Sequence, residues 1–218
     1  MLPLLTLRNA TAGYNGHQVL HGLDLTFQAG EHVSVLGKSG SGKSTLLGLL
    51  YAQLAAQAAL IPQAAALVRP LSVFHNVYMG RLDRHSTARN LAMLAWPARA
   101  EVASVRAVLD LVGMAGSLHA RAGALSGGQQ QRTSVARALY NGRPIIIGDE
   151  PVSALDPVQA AGILSLLRAR HQTLILAMHD VPLALANSDR IIVLDAGRVV
   201  LDAPSRDLAA ETLLRFYA

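Results

Sequence analysis

Apolar positions near the start of the chain are spaced as in β-strands. They predict strands over Leu4–Arg8 and Leu23–Phe27, and a buried third strand over His32–Leu36. Turn-forming residues lie between them at Asn15-Gly16 and Ala29-Gly30. We therefore expect two antiparallel strands followed by a buried one.

The pattern then changes from strand to helix. Ser44–Leu54 has a helical composition, and the uncharged stretch Thr45–Gln63 indicates a buried helix followed by a strand, not a membrane span. From about residue 73 to residue 139 no strongly β-branched run occurs, and Ala100–Val112 has the apolar spacing of an amphipathic helix. This region is predicted to form a helical lobe.

Strand patterns return in the last third of the chain. Predicted strands alternate with predicted helices, the strands over Ile145–Ile147, Thr173–Ala177 and Ile191–Leu194, the helices over Val158–Ala169 and Val181–Ala186. Such alternation is typical of a parallel sheet flanked by helices. The sequence therefore predicts an α/β fold, a mixed sheet core with an antiparallel β part and a helical lobe.

Composition narrows the class of protein. With 51% hydrophobic residues, 15% charged residues and no cysteine, a disordered, collagen-like or disulfide-stabilised protein is excluded. No signal peptide is expected at Met1–Asn9, because no basic segment precedes its apolar residues. The formal net charge is +5, and arginine supplies all but two of the 19 basic residues. The two lysines, Lys38 and Lys43, lie in one glycine-rich loop.

That loop fits the pattern G-x-x-x-x-G-K-S/T between a predicted strand and a predicted helix. Its glycines let successive backbone N–H groups converge on phosphate oxygens, and the helix N-terminus adds partial positive charge. Lys43 can reach the β- and γ-phosphates, Ser44 can ligate Mg²⁺, and Thr45 extends the donors towards the α-phosphate. The predicted nucleotide-binding residues are Gly37, Ser39, Gly40, Ser41, Gly42, Lys43, Ser44 and Thr45.

Two carboxylates follow the predicted strand Ile145–Ile147. Asp149 and Glu150 lie where ligands bind in α/β sheets, so we expect Asp149 to hold Mg²⁺ through its water shell and Glu150 to accept a proton from an attacking water. His179 follows another apolar strand and should lie at the same sheet edge. Taken alone, this histidine could equally be a capping or core residue.

The segment Leu125–Gln129 reads L-S-G-G-Q and lies between the glycine-rich loop and the acidic pair. In this order it resembles the signature motif of the ATP-binding cassette (ABC) ATPases. Ser126, Gly127 and Gly128 open a helix, so they can offer hydroxyl and backbone donors to a γ-phosphate. The resemblance spans nearly the whole chain. It implies a P-loop NTPase of the ABC ATPase type as a single domain over residues 1–218, with a RecA-like core over about 1–66 and 141–218 and a helical lobe over about 67–140.

The resemblance also implies roles for single residues. Tyr14 matches the aromatic residue that stacks on adenine, with Val19 as its apolar neighbour. Gln63 matches the Q-loop glutamine, which senses Mg²⁺ and the membrane partner, and Ser153–Asp156 matches the D-loop. His179 matches the switch histidine, which contacts the γ-phosphate and supports hydrolysis together with Glu150.

The implied cofactors are ATP and Mg²⁺, bound between two cassettes that face each other head to tail. The metal site would comprise Ser44, Gln63 and Asp149. Each ATP would also contact the signature and D-loop of the facing subunit, through Ser126, Gly127, Gly128, Gln129 and Asp156.

A narrower likeness lies in Arg69–Val77, Gly80–Leu82, Glu150–Pro157 and Leu213–Tyr217, which look like the phosphonate-type import ATPases. This implies the ATP-hydrolysing subunit of an importer that takes up phosphonate or a related oxyanion. Its partners would be a second identical subunit, two membrane permease subunits and, indirectly, a periplasmic or extracellular solute-binding protein. The chain would lie at the cytoplasmic face of the plasma membrane, and no regulatory domain is expected after residue 218.

The sequence departs from the family pattern around the Q-loop. Gln63 lies only 20 positions after Lys43, so the β-hairpin that normally lies between them is predicted to be truncated or absent. The segment Pro62–Ala66 also lacks the aromatic residue that often accompanies the glutamine.

Two other functions fit the sequence less well. A non-transport cassette acting on a soluble or nucleic-acid complex is permitted by the net charge of +5, but the basic residues form no lysine-rich tract and no aromatic stacking motif, so no nucleic acid is expected. A cassette that binds ATP without hydrolysing it conflicts with the presence of both Glu150 and His179.

Overall fold

The structure is a computed structural model that describes residues 3–14 and 16–217. Its strands are β1 (Pro3–Tyr14), β2 (His17–Gln28), β3 (His32–Leu36), β4 (Ala58–Ile61), β5 (Ile145–Asp149), β6 (Thr173–Ala177), β7 (Arg190–Asp195) and β8 (Arg198–Pro204). Its helices are α1 (Lys43–Leu54), α2 (Val73–Tyr78), α3 (Thr87–Ala95), α4 (Arg99–Leu111), α5 (Gly127–Asn141), α6 (Pro157–Arg170), α7 (Val181–Asn187) and α8 (Ala210–Leu214). Short 3₁₀ turns include Met79–Arg84 and Arg215–Tyr217.

Six strands form the central sheet, in the order β4-β5-β6-β3-β7-β8. The first five run parallel, and β8 pairs antiparallel with β7. The strands β1 and β2 form a separate antiparallel pair. The mixed sheet, the antiparallel part and the helices between β4 and β5 confirm the predicted fold class.

Side chains of the central strands alternate between two cores. Ile145 and Ile147 of β5 pack in a core with β1, β2 and α1, whereas Ile146 packs in the core that includes α2, α4 and α5. Successive side chains of a strand point to opposite faces, so a continuous apolar run is needed where both faces are covered. Because both faces of β5 are covered, its carboxyl end becomes a fixed platform for Asp149 and Glu150.

The predicted elements are confirmed with small differences at their ends. The amphipathic helix over Ala100–Val112 is α4, and the predicted strand Leu4–Arg8 extends to Tyr14 in β1. The strand β8 was missed, because its side chains are alternately half-buried and exposed at the sheet edge. The division into two lobes stays a prediction.

The predicted loss of the hairpin is confirmed. Residues 55–57 alone connect α1 to β4. Among the described residues, no helix is both long and apolar enough to cross a bilayer.

Candidate functional site

The glycine-rich loop lies between β3 and α1, as the sequence predicts. Gly37 has φ +144° and Gly42 has φ +104°, backbone conformations that favour glycine. A Cβ on Gly37 would lie 2.2 Å from the carbonyl oxygen of Leu194, so no larger residue fits there. The first helical bond of α1 runs from the N–H of Leu46 to Gly42 O over 2.9 Å. The N–H groups before Leu46 therefore have no acceptor within the helix and point to the space before it.

Lys43 is buried at the start of α1. Its Nζ donates to the carbonyl oxygens of Gly37 at 2.7 Å and Lys38 at 3.0 Å. Burial lowers the pKa of the Lys43 ammonium, and the carboxylates of Glu150 and Asp149 oppose that shift. The positive charge is thus held inside the loop, with two carboxylates near enough to favour it.

A pocket of about 320 Å³ opens beside this loop. It brings together the lysine, three hydroxyl residues, the Q-loop glutamine and the glutamate after β5, and its lining residues are Val19, Ser39, Gly40, Gly42, Lys43, Ser44, Thr45, Gln63 and Glu150. The pocket combines N–H donors and an ammonium for an anion with the side-chain oxygens of Ser44 and Gln63. Such oxygens suit a small hard cation such as Mg²⁺.

Glu150 follows β5 in a constrained backbone conformation, with φ +51°. Its N–H donates to Ala177 O at the end of β6 over 3.0 Å. His179 lies just beyond that strand, and its Nδ1 is 3.7 Å from Oε2 of Glu150. The two residues therefore meet at one sheet edge, as the strand pattern predicts.

Gln131 is a positioning residue that the sequence reasoning missed. This side chain in α5 is 6% exposed, and its Nε2 donates to Glu150 O over 2.6 Å. Its Oε1 accepts from the N–H of Ala154 over 2.6 Å. One buried amide therefore fixes both the residue after β5 and the D-loop. Gln131 lies in a run of polar residues after the signature, and the spacing of that run does not show which side chain is buried.

The signature segment begins α5 on an exposed surface. Ser126 is the N-cap: its Oγ accepts from the N–H of Gln129, whose side-chain Oε1 accepts in return from the N–H of Ser126 over 3.0 Å. This capping box satisfies two donors of the helix start within the chain. A Cβ on Gly128 would lie 3.1 Å from Ala154 O, so the signature packs on the D-loop of its own chain. No signature residue lines the 320 Å³ pocket.

Two predicted site residues are exposed away from that pocket. Tyr14 ends β1 and is 60% exposed. Asp156 caps α6, where its Oδ1 accepts from the N–H of Gln159 over 2.9 Å. Their predicted contacts with nucleotide stay predictions.

Arg137 connects α5 to the Q-loop. Its guanidinium donates to the carbonyl oxygens of Ala65 and Ala66, each over 2.9 Å. Burial lowers the pKa of Arg137. A groove of about 680 Å³ runs alongside, between the Q-loop and the turn after α2, and its lining residues include Tyr51, Leu60, Ala66, Leu82, Asp83 and Arg137.

A glycine loop between a buried strand and a helix, with an acidic pair on a neighbouring parallel strand, defines a P-loop nucleotide-binding protein. The sequence matches the ABC transporter family over residues 20–153. It is 38% identical, over 99% of the chain, to the phosphonates import ATP-binding protein PhnC of Anaeromyxobacter dehalogenans, and 36% identical, over 94% of the chain, to that of Pseudomonas fluorescens. The chain spans 48% of the first relative and 87% of the second.

The fold agrees with these sequence relatives. A dimeric ATP-binding cassette in a post-hydrolysis state, bound to ADP and Pi, superposes with a TM-score of 0.79 at 26% identity, over 92% of this chain and 98% of that one. This chain therefore belongs to the ABC transporter family. Its predicted class, an ATPase of the ABC type, is confirmed.

Proposed function

We propose that this ABC-family ATPase is the ATP-binding and ATP-hydrolysing subunit of an importer for phosphonate or a related oxyanion. The observation that carries the proposal is the convergence of Lys43, Ser44, Gln63 and Glu150 on one pocket beside the glycine loop. The names of the relatives support the substrate class. No observation favours a non-transport complex.

ATP binding would use groups that the free chain already holds in place. The N–H groups of the loop, from Ser39 to Thr45, would surround the phosphates, and Lys43 would donate its third N–H to a phosphate oxygen while it keeps its two carbonyl partners. Gly37, Gly40, Ser41 and Gly42 would shape that cradle. Tyr14 and Val19 would contact the adenine.

Hydrolysis requires a proton acceptor beside the γ-phosphate. Glu150 is suited to this role, because its backbone N–H and carbonyl oxygen are both hydrogen-bonded and the residue lines the pocket. His179, 3.7 Å away, would contact the γ-phosphate and orient the reacting groups. Mg²⁺, when bound, would neutralise phosphate charge, and Ser44, Gln63 and Asp149 would hold it.

The exposed signature indicates how the site is completed. Because Ser126–Gln129 lies outside the pocket of its own chain, a second copy placed head to tail would supply it across the nucleotide. Gly127, Gly128 and Asp156 of each copy would lie in that interface. ATP would then close the dimer and hydrolysis would reopen it.

The groove beside the Q-loop is suited to a membrane partner. Its lining is more apolar than polar, and Arg137 connects its floor to the signature helix α5. We infer that each of two permease subunits inserts a helix there, and that a solute-binding protein acts on the other side of the membrane. The chain would then be peripheral, at the cytoplasmic face.

The test of hydrolysis is the Glu150→Gln variant. It keeps the size of the side chain and removes the proton acceptor, so ATP binding should persist while turnover falls by at least about 100-fold. ATPase assays, nucleotide-binding titrations and gel filtration with ATP are the measurements. We expect the variant to accumulate as an ATP-bound dimer. Full turnover in the variant would contradict the assigned base.

The test of import is reconstitution with permease subunits in vesicles. ATP-dependent uptake of radiolabelled methylphosphonate, absent with the Glu150→Gln variant, is expected. ATPase activity without uptake of methylphosphonate, phosphate or phosphite would contradict the proposed substrate class and leave the ATPase standing.

A further inference from the structure

The turn Arg215–Tyr217 contacts the glycine loop. The hydroxyl oxygen of Tyr217 accepts a hydrogen bond from the N–H of Gly37 over 3.1 Å. These residues lie 180 positions apart in the chain, so the contact is a product of the fold. It places an aromatic side chain directly behind the phosphate-binding loop.

The turn is anchored to the core. Leu213, which precedes it in α8, is fully buried, and α8 packs against α7. Phe216 and Tyr217 are half-buried and pack against the same core. Packing against the core therefore holds the Tyr217 ring in place independently of its hydrogen bond. The contact between its hydroxyl and Gly37 does not carry the entropy cost of ordering a free chain segment.

Gly37 connects Tyr217 to Lys43. The N–H of Gly37 donates to Tyr217, and its carbonyl oxygen accepts from Nζ of Lys43 over 2.7 Å. The two bonds fix the peptide units on either side of the Gly37 Cα, so together they restrain rotation about both its φ and its ψ. The φ of +144° is open to Gly37 because it lacks a side chain, so other loop conformations are also open to it.

The phenol of Tyr217 also interacts electrostatically with the carboxylate of Glu150. Burial raises the pKa of its phenol, the hydrogen bond from Gly37 opposes the rise, and the charge of Glu150 adds to it. The phenol therefore stays protonated and neutral beside the carboxylate. The helix α7, on which α8 packs, begins two residues after His179.

We propose that Tyr217 is a positioning residue for nucleotide binding: its hydroxyl holds Gly37 in the conformation that places Lys43 in the loop. A loop already ordered in the free chain loses less conformational freedom when phosphate binds, so the hydroxyl raises affinity for ATP. The inference rests on the proposed function, because it assumes that the loop binds nucleotide.

The variant Tyr217→Phe removes the hydroxyl and keeps the ring. We expect the Kd and KM for MgATP to rise about fivefold, with kcat within a factor of two of the parent, because the loss is in ordering the loop and not in the chemistry. Amide hydrogen exchange in a peptide covering residues 33–43, measured without nucleotide, should become faster. That second measurement does not depend on nucleotide binding.

Tyr78→Phe is the matched control. Its hydroxyl donates to Asn90 over 3.0 Å in the helical part of the protein, so the variant also loses one tyrosine hydrogen bond. We expect its Kd and KM to be unchanged, and Tyr217→Ala to raise the Kd further than Tyr217→Phe.

The possible results separate the two proposals. Unchanged Kd, KM and loop exchange in Tyr217→Phe would overturn the positioning role while the ATPase assignment stands. An equal loss of affinity in Tyr78→Phe would overturn it as well, because the effect would then be global. Failure of the parent chain to bind ATP would overturn the proposed function, and the role of Tyr217 with it.

Discussion

The two parts of the predicted nucleotide site differ in how complete they are within one chain. In the glycine loop, Lys43 is buried, its charge is held by two carbonyls, and an oxygen-rich pocket of about 320 Å³ lies beside it. The signature segment that includes Ser126 is exposed. The two hydrogen bonds of its capping box, between Ser126 and Gln129, lie within the segment itself. We therefore expect the first part to bind an anion by itself and the second to act on a ligand presented by another molecule.

The same difference is visible in how each part is connected to the rest of the protein. The loop is fixed by long-range contacts to Leu194 and Tyr217, both far away in the sequence. The signature helix is fixed through Gln131 to the D-loop and through Arg137 to the Q-loop. Movement of the Q-loop by a membrane partner would therefore be transmitted to the signature helix through Arg137 and to the pocket beside the glycine loop through Gln63.

The largest expected effect separates the two lysines of the loop. Lys43→Ala removes the buried ammonium and should weaken MgATP binding by about 100-fold or more, since charge-assisted contacts to phosphate are lost. Lys38→Ala removes the same charge from an exposed position of the same loop and should change the Kd by less than about threefold. Titration calorimetry on both variants is the measurement. Similar losses in both would mean that net charge, not position, determines affinity.

The next effect tests whether the signature acts only across a dimer. Ser126→Ala removes a predicted donor to the nucleotide of the facing copy, so the ATPase rate should fall about tenfold while the isolated chain binds ATP as tightly as the parent. Ser86→Ala is the matched control, because Ser86 is likewise a helix N-cap, at α3. Both variants should lose about 1 kcal/mol of unfolding free energy. Weaker ATP binding by monomeric Ser126→Ala would show that the two parts are not separate.

The pattern of buried side chains explains which strands and helices were predictable from the sequence. The strands β3, β5 and β6 were found because their runs are largely apolar, with Ser34 the one polar residue inside that of β3, and the helix α4 because its apolar residues recur on one face. The edge strand β8 was missed because only alternate residues are half-buried. The full length of β1 was missed because irregular pairing interrupts its alternation after Leu7.

The candidate site was predictable where its residues are close in sequence or end neighbouring strands. The glycine loop is one continuous segment, and Glu150 and His179 follow adjacent strands of the sheet. The contacts of Gln131 and Tyr217 join residues far apart in the chain, and no local pattern marks a buried amide or a single tyrosine. Such contacts depend on tertiary packing, which a single sequence does not display.

A smaller effect concerns the connection between the two parts. Gln131→Met keeps the approximate side-chain volume but leaves the carbonyl of Glu150 and the N–H of Ala154 without this partner. We expect a loss of about 2 kcal/mol in unfolding free energy and an ATPase rate reduced about fivefold, because Glu150, the proposed general base, is less well fixed. Gln53→Met, at an exposed position of α1, should change neither quantity. An unaltered ATPase rate in Gln131→Met would restrict this amide to a stabilising role.

The smallest expected effect lies at the edge of the pocket. Tyr14 is 60% exposed, so stacking on adenine would bury only part of its ring, and Tyr14→Ala should weaken ATP binding about threefold. Stacking does not read the hydrogen-bonding edge of a base, so the affinity for GTP should fall by the same factor. Tyr14→Phe, which keeps the ring, should bind both nucleotides as the parent does. A loss of affinity in Tyr14→Phe would mean that the hydroxyl makes a direct contact and that the exposed ring is not the recognition element.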